Sequence, residues 1–295
     1  MKARKWIEKN CKSLENKKVV LTGATGGLGK EIAFCLARLK AHLILACRNK
    51  QKAEKLAEEI RQKYDVKIDF VELDFLSLKS VDDAILKIKK YGGIDVLINN
   101  SGIYNVPLQK ADSGYNNVFQ VNFLYVYYFT KKLLHELEKQ ENSVCVTVSS
   151  IAHNYSKIDE NDIDFSTRKK PSKVYGNSKR FLTFSLYHLF GKTKVKLSIV
   201  HPGITLTNMT NHYPKMVNWL VKIGIKLLFP APQKAALNIV FGTQRETGFH
   251  EWIGLRVFNV WGKPECKKLT TCSMKESSKI FEIAENLYSK LNKKD

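Results

Sequence analysis

Residues 18–29 read Lys18-Val-Val-Leu-Thr-Gly-Ala-Thr-Gly-Gly-Leu-Gly29, a short apolar run that leads directly into a glycine-rich turn. The apolar run predicts a buried strand, and the residues from Lys30 onward follow a helical period. In a strand-turn-helix unit, Gly23 allows the tight turn, Gly27 lets the backbone approach a pyrophosphate, and Gly29 lets the helix pack closely on the strand. The stretch therefore predicts the first unit of a dinucleotide-binding α/β fold.

The start of the following helix supplies the groups that bind phosphate. The first amides of a helix have no partner within it, so they attract an anion. We expect Thr25 and Leu28 to contribute to this site together with the glycines. A glycine-rich turn without a ligand is the alternative, and the flanking strand and helix favour the dinucleotide site.

The end of the second predicted strand indicates which dinucleotide binds. An acidic residue there accepts the ribose 2′-hydroxyl of NAD, whereas a basic residue accommodates the 2′-phosphate of NADP. Here the sequence is Leu45-Ala-Cys-Arg-Asn-Lys50, with no acid. NADP(H) is therefore favoured over NAD(H), with Arg48 as the phosphate ligand and Asn49 as a helper. A solvated arginine in a surface loop is the competing interpretation.

Strands and helices alternate over most of the chain, which predicts a doubly wound parallel sheet of the Rossmann type. The predicted strands are Lys18 to Thr22, His42 to Ala46, Ile68 to Glu72, Val96 to Asn99, Ser143 to Val148 and Val195 to Val200. The predicted helices between them are Lys30 to Leu39, Gln51 to Lys63, Leu78 to Lys90, Ser113 to Lys139 and Val174 to Phe190.

The alternation ends after Pro202, where helices are predicted from Tyr213 to Phe229 and from Gln233 to Thr243. A last strand is expected near Trp252 to Asn259, and an amphipathic helix from Ser273 to Leu291. We expect a single domain over 1–295. It would consist of a cofactor-binding and catalytic core (18–207), substrate lid helices (208–245) and a C-terminal strand and helix (246–295).

Composition narrows the class of protein. The 295 residues are 44% hydrophobic and carry a net charge of +21, but the lysines are dispersed, which argues against a nucleic-acid-binding stripe. The six cysteines have neither disulfide nor zinc spacing, so no metal is expected. Met1 to Lys9 lack a signal-peptide core, and no run of about 18 apolar residues predicts a membrane span. We expect a cytoplasmic protein, and loose contact with anionic lipid is left open.

Tyr175 and Lys179 are four residues apart, so one helix face carries a phenol beside an ammonium. A phenol has an ordinary pKa of about 10, and a nearby cation lowers that value by favouring the phenolate. Such a pair can move protons near neutral pH. Tyr-x-x-x-Lys also arises by chance, so its meaning depends on its surroundings.

With the glycine turn and Arg48, this pair makes the chain resemble a short-chain dehydrogenase/reductase of the retinol dehydrogenase-like branch. The resemblance implies that Asp74 meets the adenine, and that Asn100 and Gly102, in Asn99-Asn-Ser-Gly102, line the cofactor cleft. Ser101 stands where the family has alanine. The resemblance also implies cofactor contacts from four residues of the segment His201 to Thr207, namely Pro202, Gly203, Ile204 and Thr207.

The resemblance also implies a catalytic set of Asn122, Ser150, Tyr175 and Lys179. Tyr175 would exchange the proton, Ser150 would hydrogen-bond the same substrate oxygen, Lys179 would lower the Tyr175 pKa and bind the ribose, and Asn122 would hold a water in the proton relay. By motif register Ser150 rather than Ser149 is catalytic. His153 and His201 are expected to orient backbone rather than to bind metal.

The expected function is hydride transfer (EC 1.1.1.-) between NADP(H) and a carbonyl or alcohol of a hydrophobic substrate that is retinoid-, steroid- or lipid-like. The apolar stretch 209–229 would form a pocket roof, an interfacial helix or a simple core cover. A dinucleotide-binding regulatory or scaffold protein with little turnover is the alternative. The long helix with Tyr125, Tyr128 and Phe129, together with the Tyr175 helix, resembles the family's paired-helix dimer surface, so a homodimer is left open.

Overall fold

The computed structural model describes residues 3–155, 157–203, 232–259 and 261–293. Within these ranges the chain forms one α/β domain around an eight-stranded sheet with the order β3-β2-β1-β4-β5-β6-β7-β8. The strands are β1 (Lys18–Thr22), β2 (His42–Cys47), β3 (Ile68–Glu72), β4 (Val96–Asn99), β5 (Val144–Val148), β6 (Lys196–Val200), β7 (Glu251–Val257) and β8 (Trp261–Lys268).

Helices cover both faces of the sheet, and the described α-helices are numbered in chain order. They are α1 (Ala3–Asn10), α2 (Gly27–Arg38), α3 (Lys50–Arg61), α4 (Leu78–Lys89), α5 (Asn117–Phe119), α6 (Tyr125–Lys132), α7 (Leu134–Glu138), α8 (Pro171–Phe190), α9 (Pro232–Gly242) and α10 (Met274–Asn292). A π-helical turn (Gln120–Leu124) joins α5 to α6, and a 3-10 turn (Ile151–Tyr155) follows β5.

Alternation along the strands supplies one hydrophobic cluster on each face of the sheet. Val19 and Leu21 of β1 join the cluster under α1, α2, α3 and α9, whereas Val20 joins the cluster under α4, α6, α8 and α10. Because both faces are buried, the strands are continuously apolar, as the sequence indicated. The predicted doubly wound parallel sheet is confirmed, and the ends of its six predicted strands differ from the observed ones by at most one residue.

Three elements differ from the sequence-based expectation in more than the position of their ends. The predicted helix from Ser113 to Lys139 is interrupted, and it begins at Asn117 because the Asn116 side chain accepts the Phe119 N–H at 2.9 Å and caps it. Helix α1 and strand β8 were not predicted. Strand β8 pairs antiparallel with β7 at the sheet edge and is largely exposed, so it lacks an apolar pattern.

Helix α9 is the part of the predicted lid (208–245) that the structure describes. It packs against α2, where Gln233 Nε2 donates to Glu31 Oε1 at 2.9 Å and Ile239 shares a cluster with Leu36. The rest of the predicted lid, 208–231, lies outside the described residues.

The part of the predicted dimer surface that lies on α6 is covered by the chain's own helix α10. Tyr125, Tyr128 and Phe129 are all buried. Tyr128 packs on Tyr288 of α10 with ring centroids 5.6 Å apart, and Lys131 Nζ bonds Glu285 at 2.6 Å. These tyrosines are therefore not available to a second copy of the folded chain.

Candidate active site

The sheet reverses its winding between β1 and β4, and the carboxyl ends of these strands are fastened together. Thr22 Oγ1 accepts the N–H groups of Asn100 and Ser101, each at 3.0 Å. Asn100 Nδ2 donates to the Thr22 carbonyl at 3.0 Å. A crevice at such a switch point is where open α/β sheets bind ligands. Asn100 thus fixes the crevice wall, and the turn is kept with Ser101 in place of alanine.

The glycine turn brings α2 close to β1. Gly23 has a φ of 65°, a left-handed conformation that favours glycine. A Cβ at Gly29 would collide with the Gly23 carbonyl oxygen. Gly26, at the N-cap of α2, has no side chain to cap the first amides, and the turn residues line the crevice. This uncapped helix N-terminus fits a diphosphate group, in agreement with the sequence.

The crevice opens into a cavity of about 590 Å³ that extends along the carboxyl ends of the strands. The predicted cofactor residues in the described ranges all line it: Gly23, Thr25, Gly27, Leu28, Gly29, Arg48, Asn49, Asp74, Asn100, Gly102, Tyr175, Lys179, Pro202 and Gly203. Ile204 and Thr207 lie outside the described residues. The structure thus brings the predicted set to one cavity.

One end of the cavity is formed by the loop after β2. Arg48 is exposed there, and Asn49 caps α3 by accepting the Lys52 N–H at 2.8 Å. Lys52 also lines the cavity, although no motif in the sequence pointed to it. Among the described lining residues, Asp74 alone carries a carboxylate, and its Oδ1 accepts the Leu76 N–H at 3.0 Å. This end of the cavity therefore carries two basic side chains and one carboxylate.

Ser149 and Ser150 at the end of β5 have different surroundings. Ser149 is buried and its hydroxyl bonds Thr183 Oγ1 at 2.7 Å, within the core. Ser150 lines the cavity, accepts the Ala152 N–H at 3.2 Å and hydrogen-bonds Tyr175. Ser149 also lines the cavity, but its hydroxyl is engaged with Thr183, so the Ser150 hydroxyl is the one beside Tyr175.

Helix α8 carries Tyr175 and Lys179 on its cavity face. Lys179 is buried, its Nζ donates to the Val148 carbonyl at 2.9 Å and lies 5.8 Å from the Tyr175 ring centroid. Burial lowers the pKa of Lys179 from 10.5 to about 8, because the cation loses its hydration. The i, i+4 spacing therefore brings the two groups together, with the lysine also tied to β5.

The predicted lowering of the Tyr175 pKa is wrong for this arrangement. Burial raises the pKa of Tyr175 above its ordinary value of 10.0, the Ser150 hydrogen bond opposes that shift, and Tyr104 adds to it. The net direction is upward because desolvation of the phenolate exceeds the stabilisation from one hydrogen bond. Tyr175 is thus a protonated phenol at neutral pH.

Asn122 lies in the π-helical turn, a distortion that is frequent at functional sites. Its Oδ1 accepts the Ile103 N–H at 2.8 Å, and its Nδ2 donates to the Ile103 carbonyl at 2.9 Å. A Cβ on Gly102 would be 3.2 Å from Asn122 Oδ1 and 3.7 Å from Lys179 Nζ. The absence of a side chain at Gly102 therefore leaves space between Asn122 and Lys179.

Tyr104 is a cavity residue that sequence reasoning missed. Its ring contacts the Tyr175 ring edge-on, with centroids 5.1 Å apart and an interplanar angle of 76°. It lies in an irregular loop after β4, where no periodicity or motif marks it. Its position next to Tyr175 makes it part of the site.

Arg180, His153 and Glu276 support the turn that follows Ser150. His153 Nδ1 lies 2.5 Å from the Ser150 carbonyl, and burial lowers the His153 pKa to about 4, so the ring is neutral at neutral pH. Arg180 donates to the His153 carbonyl at 3.0 Å and to both oxygens of Glu276 at 2.8 and 2.7 Å. His153 thus orients backbone, as expected, through a network that the sequence did not reveal.

His201 follows β6 and is also buried. Its ring stacks on Trp252 of β7 with centroids 5.1 Å apart, and burial lowers its pKa to about 3. Across the described ranges, no group of three or more His, Cys, Asp or Glu side chains could hold a metal ion. His201 therefore serves as an uncharged aromatic wall beside the cavity.

The position of this cavity defines the class of protein. A doubly wound sheet whose crevice presents an uncapped helix N-terminus at one end and a Ser-Tyr-Lys group further along is that of a dinucleotide-dependent oxidoreductase. Residues 17–218 match the family described as short chain dehydrogenase, and the chain belongs to that family. It is an NAD(P)-dependent oxidoreductase.

Individual relatives agree with this family. Retinol dehydrogenase 13 from Mus musculus is 31% identical over 234 residues, which cover 76% of this chain and 70% of the relative. Polyprenol dehydrogenase from Homo sapiens is 30% identical over 237 residues, covering 75% and 71%. The resemblance to the retinol dehydrogenase-like branch is thus confirmed.

A solved structure of an uncharacterized protein from Mycobacterium paratuberculosis has the same fold. Its TM-score is 0.73 at 24% identity, and the match covers 94% of this chain and 95% of that one.

Among the described residues, no helix has the length and apolar character needed to cross a membrane.

Proposed function

We propose that this protein is an NADP(H)-dependent reductase or dehydrogenase that transfers hydride between the nicotinamide and a carbonyl or alcohol carbon of a hydrophobic substrate. One observation carries the proposal: Ser150, Tyr175 and Lys179 meet at a cavity whose other end is the uncapped N-terminus of α2. A regulatory or scaffold protein that only binds the dinucleotide would not need the Ser150 to Tyr175 hydrogen bond.

The chain's own residues account for the proton and the orientation, whereas the bound nicotinamide supplies the hydride. In the reductive direction Tyr175 Oη gives its proton to the substrate oxygen, and Ser150 Oγ hydrogen-bonds the same oxygen. Tyr175 is protonated at neutral pH, as a proton donor in this direction must be. Lys179 Nζ, which already donates to the Val148 carbonyl, is within the cavity to bind ribose hydroxyls.

The proton that Tyr175 loses must be replaced, and Asn122 supports a route. The space between Asn122 and Lys179 is the one that a Gly102 side chain would fill. A water held there by Asn122 would accept a hydrogen bond from Lys179 Nζ. The Lys179 pKa of about 8 allows the ammonium to release and regain a proton near neutral pH.

The preference for NADP(H) rests on the charges at the loop after β2. Arg48 and Lys52 line this end of the cavity, and the strand β2 ends without an acid. An arginine can bind phosphate through two parallel hydrogen bonds, and such charge-assisted contacts contribute about 1.5–3 kcal/mol. Through the 2′-phosphate, Arg48 would therefore raise the affinity for NADP(H) over that for NAD(H) by about ten- to hundredfold.

The hydrophobic substrate is supported by the walls near Tyr175. Ile103, Tyr104, Ile151 and Tyr155 line that part of the cavity. Retinol and polyprenol dehydrogenases, the relatives found, are named for lipophilic alcohols. We infer a retinoid-, steroid- or lipid-like alcohol or carbonyl compound as the substrate class.

Cofactor titration tests the binding half of the proposal. NADPH should bind more tightly than NADH, and Arg48→Asp should weaken NADPH by at least tenfold while leaving NADH nearly unchanged. Lys50→Asp is the matched control, because Lys50 has the same charge two residues away and does not line the cavity. Equal affinities for the two cofactors in the parent protein would contradict the Arg48 assignment.

Turnover tests the chemical half. A panel of retinaldehydes, steroid ketones and long-chain aldehydes is screened by the absorbance lost as NADPH is oxidised. Tyr175→Phe should keep NADPH affinity and lose turnover on any accepted compound. Full activity in this variant would refute the assigned proton donor, and binding without turnover on the whole panel in the parent would favour the scaffold alternative.

A further inference from the structure

The hairpin between β7 and β8 exposes apolar side chains at its turn. The sequence from 256 to 263 reads Arg256-Val-Phe-Asn-Val-Trp-Gly-Lys263, and we call the described residues 256–259 and 261–263 the hairpin tip. Phe258 is 83% exposed, Trp261 45% and Val257 44%. Isolated apolar residues on a surface are ordinary, but several large ones within one turn mark an interaction site.

The hairpin tip projects from the edge of the sheet that carries the active site. Ile253 of β7 lies opposite Val200, the last residue of β6, and the strands are parallel. Val257 is four residues further on, which corresponds to about 13 Å at the usual strand rise of about 3.3 Å per residue. The hairpin tip therefore overhangs the same edge onto which the cavity opens.

A second copy of the chain is a poor occupant for this hairpin. Its outer strand β8 carries Lys263, Lys267 and Lys268, and it contains Pro264. Lysines on an edge strand oppose pairing with another strand, and proline has no N–H to offer one. The edge is thus protected against strand addition, although its turn remains apolar.

The charges around the turn are complementary to an anionic surface. Arg256 and Lys263 flank the aromatic residues, both are exposed, and no acidic residue occurs from 256 to 263. Aromatic side chains partition to the headgroup level of bilayers, and basic residues beside them are attracted by anionic lipid. The net charge of +21 has the same sign.

We propose that the hairpin tip inserts into the headgroup region of an anionic lipid bilayer and so holds the protein at a membrane surface. Phe258 and Trp261 enter the interface, while Arg256 and Lys263 bind lipid phosphates. This attachment turns the cavity edge of the sheet toward the bilayer, where lipophilic alcohols dissolve. The statement about substrate delivery rests on the proposed function, whereas vesicle binding does not.

Vesicle co-sedimentation tests the attachment with the full-length protein and no substrate. The protein should bind vesicles of phosphatidylcholine with phosphatidylserine, and Phe258→Ser/Trp261→Ser should reduce the partition coefficient at least tenfold. Arg256→Gln/Lys263→Gln should reduce it about 25-fold on anionic vesicles, since each basic residue contributes about fivefold. Leu86→Ser is the control, because Leu86 is a similarly exposed apolar residue on α4.

Tryptophan fluorescence locates the inserted residue. Brominated phosphatidylcholine within the anionic vesicles should quench emission in the parent protein, and Trp261→Phe should remove most of that quenching. Quenching that survives Trp261→Phe and is lost in Trp219→Phe would assign the contact to another segment and overturn the proposal.

Two further readouts keep the proposal separate from its rivals. The serine double variant should turn over a water-soluble carbonyl compound at the parental rate, so a loss of vesicle binding cannot be attributed to misfolding or to a failed catalytic assignment. Size-exclusion chromatography with light scattering tests the self-contact alternative. Unchanged vesicle binding in the double variant, or a dimer that only this variant abolishes, would refute membrane insertion by the hairpin tip.

Discussion

Glu276→Ala should destabilise the protein and slow turnover, because Glu276 is the partner of a cation buried behind the catalytic serine. Arg180 is 1% exposed, and its guanidinium bonds both Glu276 oxygens, the His153 carbonyl and the Thr271 carbonyl. The substitution removes the carboxylate and leaves the guanidinium in the core with the two carbonyl groups and the Phe184 ring, whose centroid is 5.3 Å away, among its partners.

The magnitude follows from the cost of an uncompensated buried charge. Removing one partner of a buried ion pair costs about 3–5 kcal/mol of unfolding free energy. The two carbonyl acceptors remain, so the lower end of about 3 kcal/mol is expected. A smaller loss of about 0.5 kcal/mol is added because Glu276 lies in the first turn of α10, where a negative charge is favourable.

The effect should depend on pH in a known direction. Burial alone would raise the pKa of Glu276, but the hydrogen bonds and charge of Arg180 outweigh it, and the net pKa shift is downward. A depressed folded-state pKa gives stability that is present above the unfolded pKa of about 4.3 and is lost as the pH falls through the folded value. The difference between parent and variant should therefore be full at pH 7 and shrink as the pH falls below about 4.3, until the carboxyl is protonated in the folded protein as well.

Urea denaturation followed by far-ultraviolet circular dichroism measures the stability at pH 7. Glu282→Ala is the matched control, because Glu282 lies on the same helix in an exposed pair with Lys279 at 3.3 Å. It should change the midpoint little. Turnover of the Glu276 variant should fall more than NADPH affinity, since the network ends on the turn after Ser150. Equal midpoints for the two variants would refute the reasoning.

Four other substitutions separate the roles of cavity residues. Lys179→Met should abolish turnover yet raise the unfolding free energy at pH 7 by up to about 3 kcal/mol, because a pKa lowered from 10.5 to about 8 marks a disfavoured buried cation. For the same reason the parent should gain stability in urea between pH 8 and 10, where the unfolded chain binds more protons than the folded one. Ser149→Ala should lower the unfolding free energy by about 1 kcal/mol and keep activity. Ser150→Ala should keep the unfolding free energy and lose turnover. The reverse result would move the catalytic role to Ser149. Gly29→Ala should abolish NADPH binding in titration, because its Cβ collides with the carbonyl of the glycine turn, and retained affinity would contradict that contact.

The fold could be predicted because its decisive signals are local. Strand β1 is apolar on both faces, and the glycines that follow it are required by the turn itself, so the strand-turn-helix unit can be recognised within twelve residues. Strand β8 gave no such signal. It is an exposed edge strand with Lys263 and Pro264, and it forms because β7 offers it a ladder of hydrogen bonds.

The site residues were predictable as a set, but their partners were not. Arg180 and Glu276 are 96 positions apart, and in the sequence each resembles an ordinary charged residue of a helix face. Only the packing of α10 against α8 buries them together. Lys52 and Tyr104 were also missed, because Lys52 reaches the cavity from the first turn of α3 and Tyr104 from an irregular loop, and no motif marks either residue.

The direction of the Tyr175 pKa shift could not be predicted from the sequence. The spacing of Tyr175 and Lys179 places a cation near a phenol, and that term by itself lowers the Tyr175 pKa. The fold adds desolvation of both groups and gives the ammonium a second partner in the Val148 carbonyl of β5. These contributions depend on how deeply α8 is packed, and together they raise the Tyr175 pKa instead of lowering it. A pair of titratable residues can therefore be identified from spacing, but the pKa of each member is a property of the assembled cavity.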